Sequence, residues 1–136
     1  MTKKILSEFI GTAFLLMIIV GSGIMGETLS NDTAIVLLAN ALATGAGLIT
    51  LIWLFEPLSG AHFNPAVSLF MFLNKKMKIP ELLLYITFQI LGGLIGVILA
   101  NLMFDLPAIE MSEKIRAGNN IYLSELIATF GLLLVI

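Results

Sequence analysis

Three stretches of this chain, residues 9–26, 33–55 and 82–104, contain no Asp, Glu, Lys or Arg. A helix needs about 17–25 predominantly apolar residues to cross the hydrocarbon core of a bilayer, and each stretch falls in that range. An ordinary globular domain carries about 25% charged residues. This one carries 12%, with 59% hydrophobic residues and a mean hydropathy of +1.06 over 136 residues. A water-soluble core does not account for that excess, so the chain reads as an all-α protein that crosses a membrane several times. Lys3 and Lys4 before the first run, and Gly21-Ser22-Gly23 after it, imitate a signal peptide. The run is longer than the usual h-region of about 7–15 residues, however, and further spans follow it. The net charge of −2 points to no particular partner, and nothing in the composition suggests nucleic-acid binding. Without cysteine there are no disulfides or thiolate metal sites. His62 is the sole histidine, so neither a metal site nor a cofactor is expected.

The apolar runs predict helices over residues 5–25, 33–55 and 80–104, with Pro80 and Glu81 opening the last. A polar loop over 27–32, a longer connection over 105–120 and a fourth apolar run over 121–136 complete the outline. Between the second and third runs lies Ser59-Gly60-Ala61-His62-Phe63-Asn64-Pro65-Ala66-Val67-Ser68-Leu69. Pro57, Ser59 and Gly60 read as breakers. Asn64 is a good N-cap, and Pro65 suits the first helical position, where its missing N–H costs nothing. The helix that follows, residues 65–73, stops at Asn74-Lys75-Lys76. At 1.5 Å per residue it is about 13 Å long, half of what a span requires. It reads as a re-entrant half-helix.

Basic residues give the orientation. Lys3, Lys4, Lys75, Lys76 and Lys78 fall on one side of the expected topology, while Lys114 and Arg116 fall on the other. By the positive-inside rule the N-terminus is cytoplasmic, and the half-helix enters from that side with its N-terminus near the membrane centre. Its free N–H groups and positive dipole end would then lie at mid-depth. Irregular backbone persists there only when buried in protein or lining a water-filled cavity. The carbonyls around Gly60 to Phe63 and the Asn64 amide would offer hydrogen bonds to a passing neutral molecule, while the positive helix end repels cations. A tight turn packed in a protein core remains the plainer alternative.

The ends of the chain repeat each other. Residues 6–19 and 123–136 are identical at eight of fourteen positions, including Ser-Glu with Thr four residues after the Glu. Three spans separate the copies, so the second runs the opposite way, as in an inverted-topology repeat with a shared site near the midplane. Residues 1–120 form one repeat, and 121–136 begin another.

These residues resemble the aquaporin and glycerol-facilitator family, the major intrinsic proteins. Ser59 through Ser68 is similar to the family's first Asn-Pro-Ala box. The likeness extends to Glu8 with Thr12, to the small-residue second helix, to Gln89 with Gly92-Gly93, and to Glu125 with Thr129. It implies a fold of six spanning helices and two half-helices per pore, commonly assembled as homotetramers. Only the first box is present here. A passive channel for water and small uncharged solutes in a bacterial-type plasma membrane is implied, with membrane lipids as its surroundings.

The resemblance also implies roles for single residues. Asn64, Pro65 and Ala66, preceded by Gly60, Ala61, His62 and Phe63, would line the pore. Glu8 and Glu125, ionisable residues inside apolar helices, would each hold loop backbone near a half-helix rather than relay protons. Thr44, twenty residues before the box Asn, falls at a filter position that water-selective members usually fill with a large aromatic. A small side chain there suits solutes larger than water. The sequence is similar to a bacterial branch often associated with arsenic-resistance genes, so neutral trihydroxy metalloids such as arsenite join glycerol-like molecules as candidates. Thr44 could equally be a packing residue. Two readings of His62 stay open: a packed residue beneath the loop, or a gate at the cytoplasmic approach. Ala39, Ala43 and Gly47, like Gly92, Gly96 and Ala100, have the four-residue spacing of close helix contacts.

No nucleophile, base or metal-ligand set points to an enzyme. The chain is expected to be the N-terminal part of a longer channel and to conduct nothing by itself. Two alternatives are a half-size channel built from two chains and a non-transporting membrane scaffold. The first must overcome the five-to-two basic bias and a fourth helix whose residues 126–136 cover about 16 Å.

Overall fold

A computed structural model describes residues 1–109 and 117–136. It is all-helical: α1 Thr2–Leu29, α2 Thr33–Ser59, α3 Pro65–Leu73, α4 Ile79–Met103 and α5 Asn119–Val135, with no strand among the described residues. Three of these, α1, α2 and α4, have 28, 27 and 25 residues and are long and apolar enough to cross a membrane. The protein is a multi-pass membrane protein.

Several helix ends differ from the sequence-based bounds, each for a local reason. α1 takes in Lys3 and Lys4 at one end and Glu27 at the other, because charged side chains at a helix end reach water without interrupting the backbone ladder. α2 continues through Pro57 to Ser59 instead of stopping at Phe55. Pro57 removes only its own N–H, and the helix closes three residues later on Gly60, which is left-handed (φ 90°) and donates its N–H to the Glu56 carbonyl at 2.9 Å. α3 spans residues 65–73, and Lys75 takes the left-handed turn (φ 59°) after its C-cap Asn74. α4 starts at Ile79, one residue before Pro80, and ends at Met103. α5 starts at Asn119 rather than 121. Lys114 and Arg116, two of the residues behind the orientation reading, lie outside the described residues.

The main interface is between α1 and α4. A Cβ at Gly92 would collide with the Phe9 carbonyl, and one at Gly96 with the Ala13 carbonyl, so the two backbones are in direct contact. Ala100 continues the stripe, buried at 1% exposure. α2 packs on the other side of α1, where Gly47 admits the Ile18 side chain and Asn40 Nδ2 donates to the Ile19 carbonyl at 2.7 Å. Asp32 starts α2 by accepting from the Ala34 N–H at 2.8 Å.

Burial is the inverse of that in a soluble domain. Glu8 and Ser68 are fully buried and Gln89 is 1% exposed, whereas Leu37, Ile49 and Trp53 are 67%, 71% and 83% exposed. Polar groups inside and apolar groups outside are what hydrocarbon surroundings require. Replacing Gly96 by Val forces the α1 and α4 backbones apart, an overpacking cost of about 1–3 kcal/mol. Melting in detergent micelles followed by circular dichroism should show the loss, while Gly131→Ala, which meets open space on α5, should not.

Candidate functional site

Between α2 and α3 the chain runs as an irregular strap, Gly60 to Asn64, and its conformation is unusual for its sequence. Ala61 and Phe63 both have φ of 49°, a left-handed region that side chains with a Cβ rarely adopt. Each such residue costs on the order of 1–3 kcal/mol and persists only where surrounding structure fixes it. Here the fixing group is the carboxylate of Glu8 on α1. Its Oε1 accepts from the Ser59 hydroxyl at 2.6 Å and the His62 N–H at 3.1 Å. Its Oε2 accepts from the Phe63 N–H and from Gln89 Nε2, both at 2.8 Å. Ser59 Oγ in turn accepts from the Ala61 N–H at 3.1 Å, and Tyr85 Oη donates to the Ser59 carbonyl at 2.8 Å.

This network sets the direction of the strap's carbonyls. Every peptide bond among the described residues is trans, and in a trans peptide the C=O points opposite to the N–H that follows it. The N–H groups of Ala61, His62 and Phe63 all turn toward Ser59 and Glu8. The carbonyls of Gly60, Ala61 and His62 therefore turn the other way, as a row of acceptors. Phe63 anchors the strap from its side chain, buried at 4% exposure, edge-on to Phe55 at 5.8 Å and filling the space that the missing Cβ of Gly11 leaves open.

Asn64 ends the strap and starts α3. Its Oδ1 accepts from the Ala66 N–H at 2.8 Å, so the cap uses the oxygen and leaves the amide's two N–H donors outside that contact. Pro65 occupies the first helical position. Asn64, Pro65 and Phe63 border a cavity of about 580 Å³ between α1 and the C-terminal part of α4, walled by apolar side chains such as Leu16 and Val97 and by the polar Gln89 and Asn101. On the other side of the strap, toward the start of α4, a cavity of about 210 Å³ is bordered by His62, Tyr85, Lys4 and Glu81. Lys4 Nζ and Glu81 Oε1 pair at 3.0 Å across that end.

The structure thus brings Gly60, Ala61, His62, Phe63, Asn64, Pro65 and Ala66 together with Glu8. Two residues stand apart. Thr44 is half-buried on α2 and borders neither cavity, and its Oγ1 is buried without a hydrogen-bond partner. Glu125 is exposed on α5, outside the network. Sequence reasoning did not single out Ser59, Ser68 and Tyr85 as parts of the site. Their signal was polarity: Tyr85 and Gln89 are polar groups inside a charge-free span, where each needs a partner.

A profile of the major intrinsic protein family matches residues 1–136. The chain belongs to that family. It is 46% identical over 132 residues to the aquaglyceroporin AqpS of Rhizobium meliloti (strain 1021), covering 97% of this chain and 57% of that protein. It is 31% identical over 140 residues to aquaporin-4 of Notomys alexis, covering 98% and 43%. A match to aquaporin TIP1-2 of Musa acuminata has 32% identity over 136 residues, covering 96% and 54%. The chain therefore spans about half the length of these relatives.

Replacing Glu8 by Leu leaves four donors facing apolar surface in a fully buried position. The expected loss is at least about 3 kcal/mol, since each unmade buried hydrogen bond costs about 1–3. Amide hydrogen exchange should report it directly. Protection at His62 and Phe63 should fall far more than at the mid-α1 amides.

Proposed function

We propose that this chain forms one half of a passive channel for water and small uncharged solutes. The observation that carries the reading is the strap. Its amides are tied to Glu8, its carbonyls face away as a row of acceptors, and it ends at Asn64 on the N-terminus of a half-length helix. A hydroxylated molecule moving along such a line exchanges hydrogen bonds stepwise, accepting at the Asn64 amide and donating to the carbonyls. The positive end of α3 disfavours cations, protons included, at the same point. No covalent step is needed, so the chain acts as a conduit and not as an enzyme.

Thr44 supplies the selectivity. Its short side chain leaves the filter wider than an aromatic would, which suits glycerol-like molecules or neutral metalloid hydroxides such as arsenite. The name aquaglyceroporin borne by the relative at 46% identity agrees with this solute class. Glu125 would hold a second loop as Glu8 holds the first, in an inverted half that supplies the other Asn-Pro-Ala box. The finished pore is read as one protomer of a homotetramer in a bacterial-type plasma membrane, with Lys3, Lys4, Lys75, Lys76 and Lys78 on the cytoplasmic side.

A chimera in which this chain replaces the matching part of the aquaglyceroporin AqpS tests the reading in proteoliposomes. Stopped-flow light scattering should show both water and glycerol flux. Thr44→Trp should cut glycerol flux at least tenfold, about 1.4 kcal/mol at the barrier, with a much smaller effect on water. Asn64→Asp should reduce both fluxes. An inserted, folded chimera that passes neither solute would rule the channel reading out, and a Thr44→Trp variant that matches the parent for both solutes would rule out the filter role of Thr44.

A further inference from the structure

The hydrogen bonds around Ser68 reach a group that the strap leaves free. Ser68 lies in α3, is fully buried, and has two partners at its Oγ: Gln89 Nε2 at 3.0 Å and His62 Nδ1 at 3.0 Å. Which of these donates follows from Glu8. Gln89 presents one end of its amide to Glu8 Oε2 at 2.8 Å, and that oxygen already accepts from the Phe63 N–H. Only the NH₂ end can face a carboxylate oxygen, so Gln89 is oriented by charge, with its Oε1 left buried and unpartnered. The same NH₂ supplies its second proton to Ser68 Oγ. A hydroxyl has one proton to give. With Gln89 donating to it, the Ser68 proton has His62 Nδ1 as its acceptor. Were Nδ1 to carry the proton instead, Ser68 would hold an unused donor in a position with no access to water, the arrangement that buried polar groups avoid.

We propose that Gln89 and Ser68 are positioning residues that hold His62 in the neutral tautomer with its proton on Nε2. Charge is passed as hydrogen-bond direction, from the Glu8 carboxylate through the Gln89 amide and the Ser68 hydroxyl to the imidazole. The outcome is an N–H donor on the side of the strap where His62 borders the 210 Å³ cavity with Tyr85, Lys4 and Glu81. Among the described residues His62 Nε2 has no hydrogen-bond partner, and the absent Cβ of Gly60 keeps the space beside it clear, since an added Cβ there would come within 3.3 Å of Nε2. The Tyr85 ring, 5.1 Å away between centroids, supports the imidazole from α4. The use of this donor rests on the channel reading. It meets an oxygen lone pair on water or on a neutral hydroxylated solute before that molecule reaches the strap's acceptors, and it offers nothing to a cation.

His62 is the only histidine in the chain, so nitrogen NMR of ¹⁵N-histidine-labelled protein in lipid nanodiscs, purified without a histidine tag, reads this one ring. At a pH where the ring is neutral, Nδ1 should resonate as unprotonated and Nε2 as protonated. The bias expected from one buried hydrogen bond is about tenfold or more. Ser68→Ala should bring the two tautomers toward equal populations, and Ser68→Thr should restore the bias. Gln89→Met should weaken it, because Ser68 Oγ then has room to accept from Nδ1. A wild-type ring protonated on Nδ1, or a Ser68→Ala spectrum unchanged from wild type, would overturn the proposal. If Ser68→Ala does not insert, the wild-type spectrum decides alone. The spectrum reports the tautomer whether or not solute passes, so a failed flux measurement and a failed tautomer assignment are separate results.

Discussion

The fold of the candidate site depends on one buried carboxylate. Glu8 has two oxygens and four donors, and three of those donors come from the strap or from Ser59 just before it. Two strap residues occupy a backbone region that is unfavourable for them. The strap is thus a strained segment held in place by charge-assisted hydrogen bonds, which are roughly twice as strong as neutral ones. The trans geometry of the peptides converts that attachment into an outward row of carbonyls, the face that the proposed channel reading gives to the solute. The contact between α1 and α4 at Gly92 and Gly96 then brings Gln89 within reach of the same carboxylate.

What was legible in the sequence followed from length, charge and local chemistry. Charge-free runs marked the spans, and the Asn64-Pro65 start with the Asn74-Lys75 stop marked a helix of half the usual length. Pro57 was misleading because a proline in the last turn removes a single hydrogen bond, and Gly60 was available three residues later to close the helix. The partners of Glu8 could not be read from local pattern, since they lie 51 to 81 residues away. Resemblance to a family pointed to the carboxylate's purpose, and geometry supplied its donors. Thr44 shows the remaining limit: its Oγ1 is buried and unpartnered, and no local rule says what faces it.

The interior of this chain holds buried polar groups, Glu8, Ser68 and Gln89 among them, while its outside exposes large apolar side chains. Among the described residues α5 buries none of its side chains and packs only against α3. The cavity beside Asn64 likewise lies against α1 and α4, with the Gln89 acceptor buried near it. On the proposed channel reading, these features belong to the face that an inverted second half would cover.

The position of Glu8 in the chain has a consequence for the order of assembly. It is the seventh residue of α1, about 9 Å from the start of that helix. The carboxylate is therefore synthesised before any of its partners. Its donors arrive in succession, Ser59 and the strap amides with the second helix and Gln89 with the third span. Until the last of these is in place, α1 carries a charge without its full set of partners. The full donor set of Glu8 is therefore complete only with α4 docked onto the glycine-marked face of α1.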